Sequence, residues 1–156
     1  MNKKVLFITD SLEDLDLKKD TSILMMEESI KLGFDVYQCL VEDLYAENSE
    51  VIVFAKKITT AGSSEIKFED ASTHSIKTFE YSFMRKDPPV DEDYINALHL
   101  LGLAQAMGTK VFNNPVSIKE FNEKVFAIHF AKYIPETLIS SKIDTVSYTH
   151  LRAHET

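Results

Sequence analysis

The densest chemistry in the chain stands in Met84-Arg85-Lys86-Asp87-Pro88-Pro89-Val90-Asp91. Two cations and a carboxylate sit beside two prolines, whose rings lock the backbone and remove hydrogen-bond donors. An Asp-Pro step alone would make a turn. Charges pinned at a stiff Pro-Pro corner suit the holding of a small, polar, anionic molecule. A solvated strand end followed by a turn into a helix would use the same residues, and the residues alone leave both readings open.

The elements around this block must position it. A strand is expected over Phe79 to Met84 and a helix over Glu92 to Met107, with Ile95, Leu98, Leu101 and Ala104 or Gln105 toward a sheet and Gly108 as its cap. Upstream, Lys4-Val5-Leu6-Phe7-Ile8 reads as a buried parallel strand that opens through Thr9-Asp10-Ser11 into a loop. Asp20 or Thr21 then caps a helix carrying Ile23, Met26, Glu27 and Ile30, which Gly33 ends. A strand over Asp35 to Val41 completes a βαβ unit with a right-handed crossover.

Between Glu42 and Phe83 the pattern weakens. Val51 to Ala55 and Ser64 to Phe68 read as strands of an inserted hairpin, and Ala71 to Lys77 as loop. Beyond the helix, Lys110-Val111-Phe112 is a short strand closed by Asn113-Asn114-Pro115. Ser117 and Glu120 have capping-box spacing, predicting a helix to about Tyr133 with Phe121, Val125, Ile128 and Ala131 or Lys132 on one face. Pro135 to Ser140 reads as another strand. Alternating strands and helices predict a three-layer α/β domain around a parallel sheet, with a small β insertion.

Composition narrows the function. The chain has 156 residues, enough for one domain with a real core, and its net charge is −8. An acidic chain without a basic cluster argues against nucleic acid and against an anionic membrane surface. Cys39 is the single cysteine, which excludes a disulfide framework and suits a reducing compartment. No stretch reads as a signal peptide or a membrane span, so a cytoplasmic location is expected. His74, His99 and His129 are too scattered for a metal site, and none is expected.

The last residues, Val146 to Thr156, have neither helical nor strand logic. They back-translate into a string that resembles the transposase adapter used in short-read library preparation. The expectation is that residues 146–156 are adapter-derived, that His150 and His154 are to be discounted as ligands, and that the native frame continues past residue 145.

Several blocks together carry a family resemblance. Lys18-Lys19-Asp20-Thr21-Ser22, Asp43-Leu44-Tyr45, Met84-Arg85-Lys86-Asp87-Pro88-Pro89, Asn113-Asn114-Pro115, Asn122-Glu123-Lys124 and Pro135-Glu136-Thr137 stand in the order seen in bacterial glutathione synthetases. The chain resembles that family over about Met1 to Ser140, departing at Glu80-Tyr81-Ser82-Phe83, which is more polar than the strand usual there.

The resemblance implies a pre-ATP-grasp, Rossmann-like substrate domain over residues 1–115 and the start of the linker and ATP-grasp region over 116–145. It implies a parent that joins γ-glutamylcysteine and glycine with ATP and Mg²⁺ through an acyl phosphate, and that forms oligomers. Arg85 would bind the dipeptide, since a guanidinium grips a carboxylate in two-pronged fashion. Asp87 would orient Arg85 or accept from a substrate amine. Asp20 would cap its helix or touch substrate, and Lys124 would reach the nucleotide phosphates. The glycine-rich loop and magnesium carboxylates of the family have no counterpart here, so the fragment alone is expected to be inactive, with no catalytic residue of its own and no bound cofactor.

Two other readings compete. One is the N-terminal domain of another ATP-grasp amide ligase. The other is a receiver-type signalling domain with Asp10 as phosphate acceptor, although Val53-Phe54-Ala55-Lys56-Lys57 lacks the aspartate such a domain needs.

Overall fold

A computed structural model describes residues 2–144, and the tail discussed above lies outside them. Two compact units are present, one running through Lys119 and the other beginning at Glu120.

In the first unit the expected apolar run forms β1 (Lys4–Ile8), with Val5, Leu6, Phe7 and Ile8 all buried. It is followed by α1 (Thr21–Lys31) and β2 (Asp35–Cys39). The insertion supplies β3 (Leu44–Glu47), β4 (Glu50–Ala61), β5 (Ile66–Phe68) and β6 (Ser72–Ser75). The chain returns through β7 (Tyr81–Met84), α2 (Glu92–Ala106), β8 (Val111–Phe112) and α3 (Pro115–Glu120). Gly33 (φ 84°) and Gly108 (φ 100°) adopt the left-handed conformation just past α1 and α2, where a side chain would be strained.

The sheet order is β3-β4-β2-β1-β7-β8, with β5 and β6 paired to β4. Strands β2, β1, β7 and β8 form a parallel core. The insertion joins it through β4, which runs antiparallel to β2 and to its other partners. Side chains alternate across β1. Val5 and Phe7 pack with Ile23 and Met26 of α1, whereas Leu6 and Ile8 pack with Leu98 and Leu101 of α2. The helices therefore cover opposite faces, which makes the three layers expected of this α/β fold. Leu98 and Leu101 are fully buried, and each such side chain contributes about 1.5–3 kcal/mol.

The insertion is more extensive than the sequence suggests. β4 is one long strand, and Ser72-Thr73-His74-Ser75, expected as loop, is β6. Its polar side chains hide a strand whose backbone pairs with Ile52 to Ala55, while the His74 ring packs edge-on to Tyr37 (4.9 Å between ring centroids).

The long final helix is also corrected. Asn114 Oδ1 accepts from the Val116 and Ser117 backbone N–H groups (2.9 and 3.0 Å), taking the capping role expected of Ser117, with Pro115 as first helical residue. In the second unit Asn122 Oδ1 caps α4 (Glu123–Ala127) by accepting from the Lys124 and Val125 N–H groups, each at 3.0 Å. A turn of 3₁₀ helix over Ile128–Tyr133 follows, and residues 135–140 are not a strand. The apolar face counted on for one continuous helix stays about half exposed at Phe121 (47%), Val125 (53%) and Ile128 (48%). With that face unburied, the local caps decide where the helices start.

Candidate functional site

The core strand β1 has β2 on one side, reached through α1, and β7 on the other. The winding direction therefore reverses between β1 and β7, and a crevice opens at their carboxyl ends, where ligands bind in sheets of this kind. Register places Ile8 opposite Met84, and the ladder continues with the Arg85 N–H donating to the Ile8 carbonyl at 2.8 Å. The residues that follow each strand, Asp10 and the Arg85-Lys86-Asp87 run, are thus brought side by side.

Alternation along β7 then separates the two cations. Arg85 reaches the N-terminus of α1, where its Nη2 donates to Thr21 Oγ1 (2.6 Å) and its Nε to Ser22 Oγ (3.4 Å). No carboxylate pairs with it among the described residues. Lys86 turns instead to Asp10, with Nζ 2.7 Å from Oδ1, and also donates to the Asp87 carbonyl at 2.6 Å. The other Asp10 oxygen accepts from the Asp87 N–H at 3.0 Å. One of the two cations that read as a pair in sequence is thereby neutralised within the fold.

Asp20 caps α1, its Oδ1 accepting from the Ser22 N–H at 2.6 Å. Lys19, Asp20, Thr21, Ser22, Arg85 and Asp87 line a cavity of about 250 Å³. Three of the sequence-derived candidates, Arg85, Asp87 and Asp20, therefore meet at one place. Lys124, on α4 of the second unit, is not among the lining residues. Sequence reading overlooked the hydroxyls of Thr21 and Ser22 as partners of Arg85. It weighed Asp10 only as a phosphate acceptor, because nothing local signals a partner 77 positions away.

Larger cavities lie at the opposite, amino-terminal edge of the sheet. One of about 830 Å³ is lined by Asn2, Lys3, Lys4, Asp35, Lys57, Thr78 and Glu80. Two of its three lysines are matched, with Lys57 3.1 Å from Asp35 and Lys3 3.7 Å from Glu80, while the third, Lys4, lies over the Tyr37 ring at 5.3 Å. Glu80 also accepts from Lys110 at 2.8 Å, and these contacts hold its carboxyl below the ordinary range. Chemistry, not volume, distinguishes the carboxyl edge. Among the described residues no cluster of three or more His, Cys, Asp or Glu could hold a metal ion, and no helix is long and apolar enough to cross a membrane.

An open α/β sheet with a polar, arginine-bearing cavity at its switch point places the domain in the Rossmann-like class. The family model described as prokaryotic glutathione synthetase, N-terminal domain, matches residues 3–119. The chain belongs to that family. It is 32% identical over 149 residues to a glutathione synthetase of Prochlorococcus marinus subsp. pastoris, covering 95% of this chain and 48% of the relative. It is also 32% identical to those of Neisseria meningitidis serogroup A (89% of this chain, 46% of the relative) and Salmonella typhi (88% and 44%). The chain thus spans about half the length of the curated relatives it matches. The receiver-type alternative fares poorly, because β4, which holds Val53 to Lys57, runs antiparallel to β2 instead of ending at the carboxyl edge of the parallel core.

Proposed function

We propose that the chain forms the substrate-binding part of a glutathione synthetase, an ATP-dependent ligase that joins γ-glutamylcysteine to glycine. The observation that carries the reading is Arg85, held by two hydroxyls at the lip of the cavity and unmatched by any carboxylate among the described residues. Thr21 and Ser22 orient the guanidinium without cancelling its charge, leaving it for a substrate carboxylate. Asp87 and Asp20 stand where they can accept from a substrate ammonium group. Family membership supports the choice of γ-glutamylcysteine over other dipeptides.

Within this reading, residues 1–115 are the substrate domain and 116–145 begin the nucleotide-binding region, with Lys124 directed to ATP phosphates. When bound, ATP supplies phosphorylation of the cysteinyl carboxylate. The described residues offer no ligand set for Mg²⁺, so no chemical step is assigned to them. Their task is to bind and orient the dipeptide. The ligase is cytoplasmic and oligomeric in this proposal, and the chain alone is inactive.

The test is titration of the chain with γ-glutamylcysteine, read at the Arg85 Nε–Hε resonance. Only one other arginine, Arg152, is present, so assignment is simple. A saturable shift is expected, and its absence would remove the dipeptide from this site. A parallel assay with glycine and Mg-ATP is expected to yield no glutathione, and measurable product would overturn the proposed inactivity.

A further inference from the structure

The charge of the cavity depends on a residue that does not line it. Its walls carry Arg85, Lys19, which stands 3.6 Å from Asp16, and two carboxylates, Asp20 and Asp87, together with Thr21 and Ser22. This lining carries both signs with no excess of cations, and a ligand that is itself a zwitterion matches it better than a dianion does. Lys86 is the neighbouring cation that would create such an excess. It is withheld by Asp10, whose Oδ1 stands 2.7 Å from the Lys86 ammonium, with the two side chains only 17% and 30% exposed. The second Asp10 oxygen accepts the Asp87 N–H at 3.0 Å, so the same carboxylate also places the backbone from which the Asp87 side chain enters the cavity. Asp10 itself rests on a built platform. Its carbonyl accepts from Gln38 Nε2 (3.3 Å) and from Thr9 Oγ1 (2.8 Å), and Gln38 and Thr9 are both buried.

We propose that Asp10 is the specificity-setting residue of this cavity: by binding Lys86 and the Asp87 amide it keeps the lining free of excess positive charge, so that the cavity selects a zwitterionic amino-acid head over a dianion. The inference rests on the dipeptide reading above, since the α-amino and α-carboxylate groups of a γ-glutamyl head form such a zwitterion. Asp10 acts through Lys86 and Asp87 and makes no contact with substrate in this scheme, so it is a positioning residue.

The experiment compares two probes on the full chain, γ-glutamylcysteine and inorganic phosphate, each followed at the Arg85 Nε–Hε resonance. Asp10→Asn keeps an oxygen for the Asp87 N–H but releases the Lys86 ammonium. The ratio of the two dissociation constants is expected to move toward phosphate by about tenfold, the scale of one unit charge acting over about 12 Å at an effective dielectric of about 20. Adding Lys86→Met to Asp10→Asn is expected to restore the native ratio. A purely structural Asp10 would weaken both probes by a common factor, and that result, or a ratio unmoved by either variant, overturns the proposal. If the unaltered chain gives no Arg85 response to γ-glutamylcysteine, the dipeptide reading falls first and this inference falls with it. If it responds and the ratio stays constant, only the role of Asp10 fails.

Discussion

The two edges of the parallel sheet hold their principal cations in different ways. At the amino edge, three lysines meet carboxylates, with Lys57 3.1 Å from Asp35 and Lys110 and Lys3 2.8 and 3.7 Å from Glu80, and Lys4 lies over the Tyr37 ring. At the carboxyl edge Arg85 is held by the Thr21 and Ser22 hydroxyls. A cation that is matched inside the fold has no net field left for a ligand. A cation oriented by neutral groups keeps it. The larger cavity is at the amino edge, about 830 Å³ against about 250 Å³, so space alone would have chosen the wrong place.

The strongest test of that contrast is Arg85→Met. It is expected to weaken γ-glutamylcysteine binding by about a hundredfold, the size of a lost charged hydrogen-bond pair, with little change in melting temperature. Arg85→Lys should recover only part, because an ammonium cannot reproduce the two-pronged grip. Unchanged affinity in Arg85→Met would move the site elsewhere.

Asp20 sharpens the comparison within the carboxyl edge. Asp20→Ala is expected to cost about 1 kcal/mol in urea unfolding through loss of the α1 cap, while Asp20→Asn stays within about 0.5 kcal/mol. If Asp20→Asn keeps its stability yet binds γ-glutamylcysteine markedly less well, the carboxylate has a ligand role beyond the cap.

At the amino edge, Glu80→Gln should leave the Arg85 titration untouched. The Glu80 carboxyl is held below its ordinary value of 4.5, first by the hydrogen bond from Lys110 and then by the charges of Lys110 and Lys3. Its contribution is present above that value and is lost as pH falls through the folded-state pKa, so Glu80→Gln should flatten the acid limb of the stability curve. A change in ligand response would break the division between the two edges.

The smallest effect is expected at His74, in the insertion. Burial, and then the Lys4 charge, hold its imidazole below the ordinary value of 6.5. The folded state favours the neutral ring, so stability is complete above that value and declines below it until the folded-state pKa is passed. His74→Gln should remove this decline in chemical unfolding compared at about pH 7.5 and about pH 5.

Much of this architecture was legible in order along the chain. The apolar run of β1, the Asp20 cap, Gly33 and Gly108 are local signals, and each stands where local physics puts it. The Ser72–Ser75 strand was not legible, because backbone pairing with β4 is independent of its polar side chains. The helix expected from Ser117 to Tyr133 was misread because two asparagines, Asn114 and Asn122, cap separate turns and no packing overrides them.

For the site, sequence alone determined which groups were available: a guanidinium, an ammonium and a carboxylate at a Pro-Pro corner, and a capped helix start far upstream. Only the tertiary structure decided how they divide. Parallel register sets Asp10 beside Lys86, and alternation along the strand aims Arg85 at α1, so one cation is neutralised and the other is kept. Partnership across the sheet follows from strand order and register, and neither is written in the spacing of the residues that form the pairs.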